Sequence, residues 1–292
     1  MTLQCGEGCA VRGVLVALGL MPLAGASAQG LPWRHDLPPA DTAVAASADV
    51  PEVARTNRWV LGATLSAMPA YTGGTERSVG LRPVVAGQIG RWTVSSSSAR
   101  GLANMAFAGG VSTTVAEAGR WRFGLGARLT NSRRSADDPG LAGMPDIRSS
   151  VGLRASARYA WGDGWRLTGS VQQDLLRGQG LRGVLGVGRE QPIGLGWVLD
   201  VGGGLNLGTA RAMRTFYGVP TQAVQPGRPA WQPGGGVESW FWSVGLSRAL
   251  SPHWRVAGSV GGGTLLGDAA RSPLTQSRTG YIAQVSLAYV GW

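Results

Sequence analysis

From Trp59 onward the chain alternates apolar and polar positions in short, regular segments. In the clearest, Arg148 to Trp161, the apolar set is Val151, Leu153, Ala155, Ala157, Tyr159 and Trp161. Ser150, Gly152, Arg154, Ser156 and Arg158 fall on the other face. This is a period of two, which puts each set on one side of a strand and would scatter both around a helix. The same split sets Trp121, Phe123, Leu125, Ala127 and Leu129 against Arg122, Gly124, Gly126, Arg128 and Thr130. It recurs around Trp165–Gln172 and Trp197–Leu207. A soluble sandwich also alternates, but these segments run to about 9–14 residues, the length of a tilted membrane-spanning strand. Aromatic residues stand at their ends: Trp59, Trp121, Trp161, Trp165, Trp197, Trp254 and Tyr281. Amphipathic rings gain by lying at the headgroup level, so these positions read as interfacial girdles.

The connections alternate in length. Short turns are expected at Glu117–Gly119, Gly162–Gly164, Gln191–Gly194 and Ser251–His253, with longer loops at 133–147, 177–180, 209–236 and 266–278. In bacterial barrels short turns face the periplasm and long loops the outside. Parity then gives an all-β, antiparallel transmembrane barrel of about 12 strands. It needs strands near 79–89, 92–98 and 103–116, with Gly90-Arg91 as a tight turn.

The N-terminal segment has a different character. Arg12, the apolar stretch Gly13–Leu23 and the small-x-small site Ala26-Ser27-Ala28 predict a secretory leader over 1–28. A short membrane anchor is the alternative, which Pro22 and the shortness of the run oppose. Cys5 and Cys9, the two cysteines, lie inside this leader, so the expected mature chain has no disulfide or thiol nucleophile. Residues 29–57, rich in Pro, Ala and Asp, predict a flexible periplasmic extension before a barrel over 58–292.

Composition narrows the picture further. The 292 residues hold 48 Gly and only 15% charged residues, with mean hydropathy of +0.02. No apolar run after the leader approaches the ~18 residues of a spanning helix. Gly202–Gly204 and Gly261–Gly263 lie within alternating segments and open no helix, which excludes a phosphate cradle and favours close strand packing. Two histidines, His35 and His253, give no metal set, and no Ser/His/acid arrangement can be assembled, so neither a cofactor nor catalysis is expected. All 27 basic residues are Arg, against 16 acids. Arg122, Arg128, Arg154, Arg158, Arg166 and Arg255 take the polar parity of their strands, with Asp174, Asp200 and Glu238. They predict lumen-facing charges, either bracing one another or lining an anion-preferring pore. Burial inside a barrel removes the excess from nucleic acid.

The loops carry a further pattern. Pro69-Ala70-Tyr71-Thr72-Gly73, Leu141–Ile147 and Thr215-Phe216-Tyr217-Gly218-Val219 are followed by Leu250–Trp254 and Leu265–Leu274, the last including Gly267, Asp268, Ser272 and Pro273. In this order the chain resembles the MipA/OmpV family of Gram-negative outer-membrane proteins. The resemblance implies a non-catalytic barrel that meets outer-membrane lipid and the barrel-assembly machinery. It also implies a scaffold joining a lytic transglycosylase to a bifunctional penicillin-binding synthase; a permeability protein and a surface adhesin are the alternatives, with Phe216, Tyr217 and Trp231 either as adhesive contacts or as packing of loop 209–236 over the barrel mouth. Family members close on Tyr-x-aromatic. Here Tyr289-Val290-Gly291-Trp292 adds a residue, which places Trp292 on the other side of the strand unless Gly291 forms a bulge.

Overall fold

The computed structural model describes residues 58–69, 71–96, 110–130 and 132–291. The expected leader with Ala26 and Ala28, the extension 29–57, the segment 97–109 and Trp292 lie outside the described residues.

Twelve antiparallel strands close into one barrel in which each pairs with its sequence neighbours and β1 pairs with β12. They are β1 (Arg58–Pro69), β2 (Arg77–Ile89), β3 (Trp92–Ser95), β4 (Gly110–Ala118), β5 (Trp121–Leu129) and β6 (Val151–Trp161). The second half is β7 (Trp165–Asp174), β8 (Leu181–Gly194), β9 (Trp197–Gly208), β10 (Gly236–Ala249), β11 (Trp254–Leu265) and β12 (Thr279–Gly291). The ladder runs round through all twelve strands, with pairings of four residues each at β2–β3 and β3–β4 among the described residues; closure is what lets strands cross lipid. Among the described residues no helix is long and apolar enough to cross a membrane.

Parity sorts the side chains as the alternation requires. On β6, Leu153 is 48% exposed on the outside while Arg154 is 7% exposed inside. Across the ladder, outward Ala155 faces outward Leu125 and Val171. Leu61, Leu65, Leu81, Val85, Val201, Val285 and Leu287 continue this exposed apolar band, the surface a barrel offers to lipid.

Two ends can be told apart. At the turn end the strands meet through short connections, among them 90–91, 119–120 and 162–164. The six tryptophans expected in girdles all stand here, and they pair in space: Trp161 stacks on Trp165, Trp121 on Phe123, and Trp59 on Tyr289. Tyr281 stands at the opposite, loop end, on the same barrel exterior as Trp240.

Several boundaries differ from the sequence expectation. The turn expected at Gln191–Gly194 is strand: β8 runs to Gly194 and the reversal falls on Leu195-Gly196, both at positive φ. A register shift at Pro192/Gly194 absorbs the proline, which has no N–H for the ladder, and so delays the turn. Gly291 forms no bulge: β1 and β12 pair without a shift from Ala67↔Ala283 to Trp59↔Gly291. A Cβ at Gly291 would collide with the Trp59 ring, so glycine lets the indole lie across the strand instead. The loop 209–236 contains a helix, α1 (Ala210–Tyr217), that was not expected.

Candidate functional site

The inner wall has two faces. On β1, β2, β11 and β12 an apolar cluster of Val60, Val84, Ala86, Ala257, Ala288 and Val290 is buried, with Thr64, Ser66, Ser286 and Arg82 farther along the same inner face. Arg255 stands on this side, level with Ala288. The facing wall, β5 to β9, is basic. Arg128, Arg154, Arg158 and Arg166 are each less than 10% exposed.

Arg166 is the most deeply placed of them, 1% exposed. It forms an ion pair with Asp200 and reaches to 4.0 Å from Glu190. Gly188 makes room for it, since a Cβ there would sit 2.9 Å from the guanidinium. Glu190 is a lumen acid that the sequence reading did not single out; it stands beside the turn expected at Gln191–Gly194. Arg154 donates to Ser170 Oγ at 3.1 Å. Arg122 shares this face at the turn-end rim, where it is half exposed and pairs with Glu117 at 2.7 Å. Asp174 serves its own loop: its Oδ1 accepts from the backbone N–H of Arg177 (2.8 Å) and Gln179 (3.2 Å).

Above the basic wall the long loops converge over the mouth in two apolar layers. The inner layer joins Ile147, Met213, Phe216, Tyr217, Leu265 and Ala269. The outer joins Tyr71, Leu141, Met144, Val219, Ala223 and Leu274, with Trp231 against them. Helix α1 supplies much of the inner layer. Thr209 caps its N-terminus, the Gly218 N–H closes its last turn onto the Arg214 carbonyl at 3.0 Å, and its buried face is Ala212, Met213, Phe216 and Tyr217. The i, i+4 pairs Ala212/Phe216 and Met213/Tyr217 make this one stripe.

Polar contacts fasten the cap to the barrel and the loops to each other. Glu238 on β10, 2% exposed, accepts from Arg182 (2.6 Å) and from the Tyr217 hydroxyl (2.7 Å). The Arg182 guanidinium also lies 4.7 Å from the Phe216 ring centre, a cation–π contact. Burial first, then the Glu238 carboxylate beside it, holds the Tyr217 hydroxyl protonated well above the usual phenol range. Arg228 donates to the carbonyls of Gly140 (3.1 Å), Ala142 (2.6 Å) and Ala223 (3.0 Å), binding loop 130–150 to loop 209–235. Arg133 donates to the Phe216 carbonyl at 2.7 Å, and burial pushes its guanidinium down to about 10, still charged at neutral pH.

The loop motifs of the sequence are the fastenings of this cap. Tyr71, two residues after Pro69 at the end of β1, donates to the Leu274 carbonyl at 2.9 Å. The Gly73 carbonyl, at a positive-φ residue, accepts from the N–H of Gln276 and Ser277. Ser272 Oγ, one residue before Pro273, donates to the Tyr217 carbonyl at 2.7 Å. Gly267 begins α2 (Gly267–Arg271) at positive φ, and Asp268 there accepts from the Gly234 N–H at 2.7 Å. Phe216 and Tyr217, for which the sequence left adhesive contact and packing over the barrel mouth open, are 8% and 2% exposed and pack the cap. The sequence did not single out Arg133, Arg182 and Arg228, each of which has a partner 56 to 88 residues away.

Among the described residues no three His, Cys, Asp or Glu side chains gather as a metal site. The family model described as MltA-interacting protein MipA matches residues 61–291. The chain belongs to the MipA family. The match spans the barrel and its cap together, and the protein is an outer-membrane barrel of that family. No curated protein matches the sequence. Solved structures with a similar course include an outer membrane channel from Pseudomonas putida F1, at 11% identity and TM-score 0.41, covering 83% of this chain and 98% of that one. The anion-selective porin from Comamonas acidovorans has 10% identity, TM-score 0.38 and coverage of 81% and 99%. A loop-deletion mutant of OmpT from Vibrio cholerae has 9% identity, TM-score 0.39 and coverage of 81% and 98%. The assignment rests on the family match.

Proposed function

We propose that this protein is a non-catalytic scaffold of the outer membrane that gathers murein-processing enzymes at its periplasmic end. The observation that carries this reading is membership of a family described as MltA-interacting, over residues 61–291. The partner class that follows is a lytic transglycosylase, with a bifunctional penicillin-binding synthase as the second arm. In this reading 1–28 are removed after Ala28, residues 29–57 extend into the periplasm, and the turn end with its tryptophan belt faces inward. The loop end is then outside, where the two-layered cap favours a structural barrel over an open conduit. Affinity capture from detergent extracts is the test. Murein hydrolases or synthases should be recovered with the full chain and reduced when 29–57 are deleted. Recovery of lipid and assembly factors alone, in both forms, removes the reading.

One observation favours a second reading, a narrow anion-preferring pore: Arg128, Arg154, Arg158 and Arg166 descend one inner wall. Planar-bilayer recordings decide it. An anion-selective reversal potential that weakens in Arg154→Gln supports a pore, and the absence of conductance removes it.

A further inference from the structure

Beside α1, between loop 130–150, the short loop 175–180 and residues 218–232, lies a cavity of about 610 Å³. It is separate from the lumen arginines and plays no part in the scaffold or pore readings. Arg133, Arg148, Arg177 and Arg214 line it against a single acid, Asp146. Two of these guanidiniums belong to the architecture: Arg133 holds the Phe216 carbonyl and Arg177 Nε holds the Ser149 carbonyl at 2.9 Å. Arg148 and Arg214 are exposed and make no ion pair among the described residues. Two exposed arginines thus line the cavity, Arg148 near enough to Asp146 to help hold its carboxylate charged, with the buried Arg133 as a third.

We propose that this cavity binds a phosphorylated sugar of about disaccharide size. Three properties select that class. The volume lies within the range of small-molecule sites and well above the needs of a bare oxyanion. Convergent guanidiniums match phosphate oxygens two at a time, which a point-charge cation does not. Asp146 and Trp231 suit a sugar ring better than a simple anion. The Asp146 carboxylate, held by the Ser135 N–H at 2.7 Å and kept below the usual carboxylate range, would repel a bare anion but accepts from a hydroxyl. Trp231 and Val219 give the wall an apolar face, and the Trp231 indole nitrogen is buried with no hydrogen-bond partner. Carbon–hydrogen faces of sugars pack on such surfaces while their hydroxyls take polar partners.

The same chemistry can arrive as the headgroup of an outer-leaflet glycolipid or as a diffusible sugar phosphate. The full chain, folded in detergent micelles, is titrated by calorimetry with a deacylated bisphosphorylated glucosamine disaccharide, its dephosphorylated counterpart and inorganic phosphate. The bisphosphorylated disaccharide should bind, and each of the other two should bind about 10-fold more weakly or worse. Arg148→Ser with Arg214→Ser should weaken that binding about 10-fold or more and leave the thermal unfolding midpoint unchanged, because both side chains are exposed. Arg148→Lys with Arg214→Lys should recover only part of it, since charge returns without the fork. Displacement of the bound disaccharide by lipopolysaccharide in mixed micelles identifies the membrane source, and binding without displacement the diffusible one; both support the site. No binding of the bisphosphorylated probe, or equal binding by the double serine variant, overturns the proposal. Inorganic phosphate binding as tightly as the disaccharide overturns the sugar assignment.

Discussion

Single side chains at the junction of barrel and cap carry a large share of the specificity. Glu238 is buried with two donors, Arg182 from the wall and Tyr217 from α1. Removing Arg182 leaves a buried carboxylate uncompensated, a change that costs ~3–5 kcal/mol. Arg182→Ala should therefore lower the thermal midpoint sharply. Arg182→Ala with Glu238→Gln should recover part of the loss, because no charge is then stranded. Tyr217→Phe deletes one bond to a charged acceptor and should cost less, ~1.5–3 kcal/mol. Equal effects of Tyr217→Phe and Arg182→Ala would contradict this ranking. Glycine matters at the same scale. A Cβ on Gly204 would strike the Leu185 carbonyl and the ring of Phe241, which is 3% exposed inside the barrel. Gly204→Ala should lose ~1–3 kcal/mol by overpacking, read from denaturant unfolding in micelles. The glycine run 202–204 was readable as a packing device, but the ring that fills the space comes from another strand.

A strand states its two faces through local alternation, and β6 makes the statement testable. Ala155 points into the apolar band while Ser156 points inward, where its Oγ lies 3.4 Å from the Gly124 carbonyl. Arginine at the lipid midplane of a barrel costs ~2–4 kcal/mol, falling toward zero near the interfaces. Ala155→Arg should impair assembly in bilayers more than Ser156→Arg does. Spin labels at 153 and 155 should be reached by lipid-soluble relaxers and a label at 154 should not. Equal accessibility of the two sets would remove the barrel assignment for β6. Helix α1 was hidden for a related reason. Its stripe of Ala212, Met213, Phe216 and Tyr217 is only two turns long, too short a period to stand out inside a loop. The β8 turn was displaced because Pro192 looked like a turn residue, whereas the ladder takes it up through a register shift.

At the scale of the molecule the loops act as one body. Arg228 satisfies carbonyls on two loops, so Arg228→Ala leaves several of them unpaired and loosens the cap. Hydrogen exchange should rise in 130–150 and 209–235 together, with the strand amides unaffected. Any conductance of the wild-type barrel should increase in the same variant. Acid acts on the same body. Asp146 and Asp268 both sit below their ordinary value of 3.8, Asp146 through the Ser135 N–H first, Asp268 through Arg271 first and then the Gly234 N–H. A depressed carboxylate stabilises the fold above its unfolded value, and that contribution is lost as pH falls through the folded one. Protection factors for the Ser135 and Gly234 amides should hold at about pH 6 and drop only below about pH 4, before the strands lose protection. Loss beginning near neutrality would assign the change to other groups.

The alternation of the chain determined its strands, their apolar exterior and the inward direction of Arg128, Arg154, Arg158 and Arg166, because a period of two is fixed by neighbouring residues alone; the alternating lengths of the connections set the strand number. The loop motifs likewise carried the family. Tertiary structure alone decided what those residues meet: the placing of the arginine wall opposite a buried apolar cluster, the pairing of Arg166 with Asp200 and of Arg182 with Glu238, and the convergence of four loops into a cap. Such partners lie tens to hundreds of residues apart. A side chain's direction is set by its own strand, but its partner is set by barrel closure and strand stagger, which no local pattern encodes.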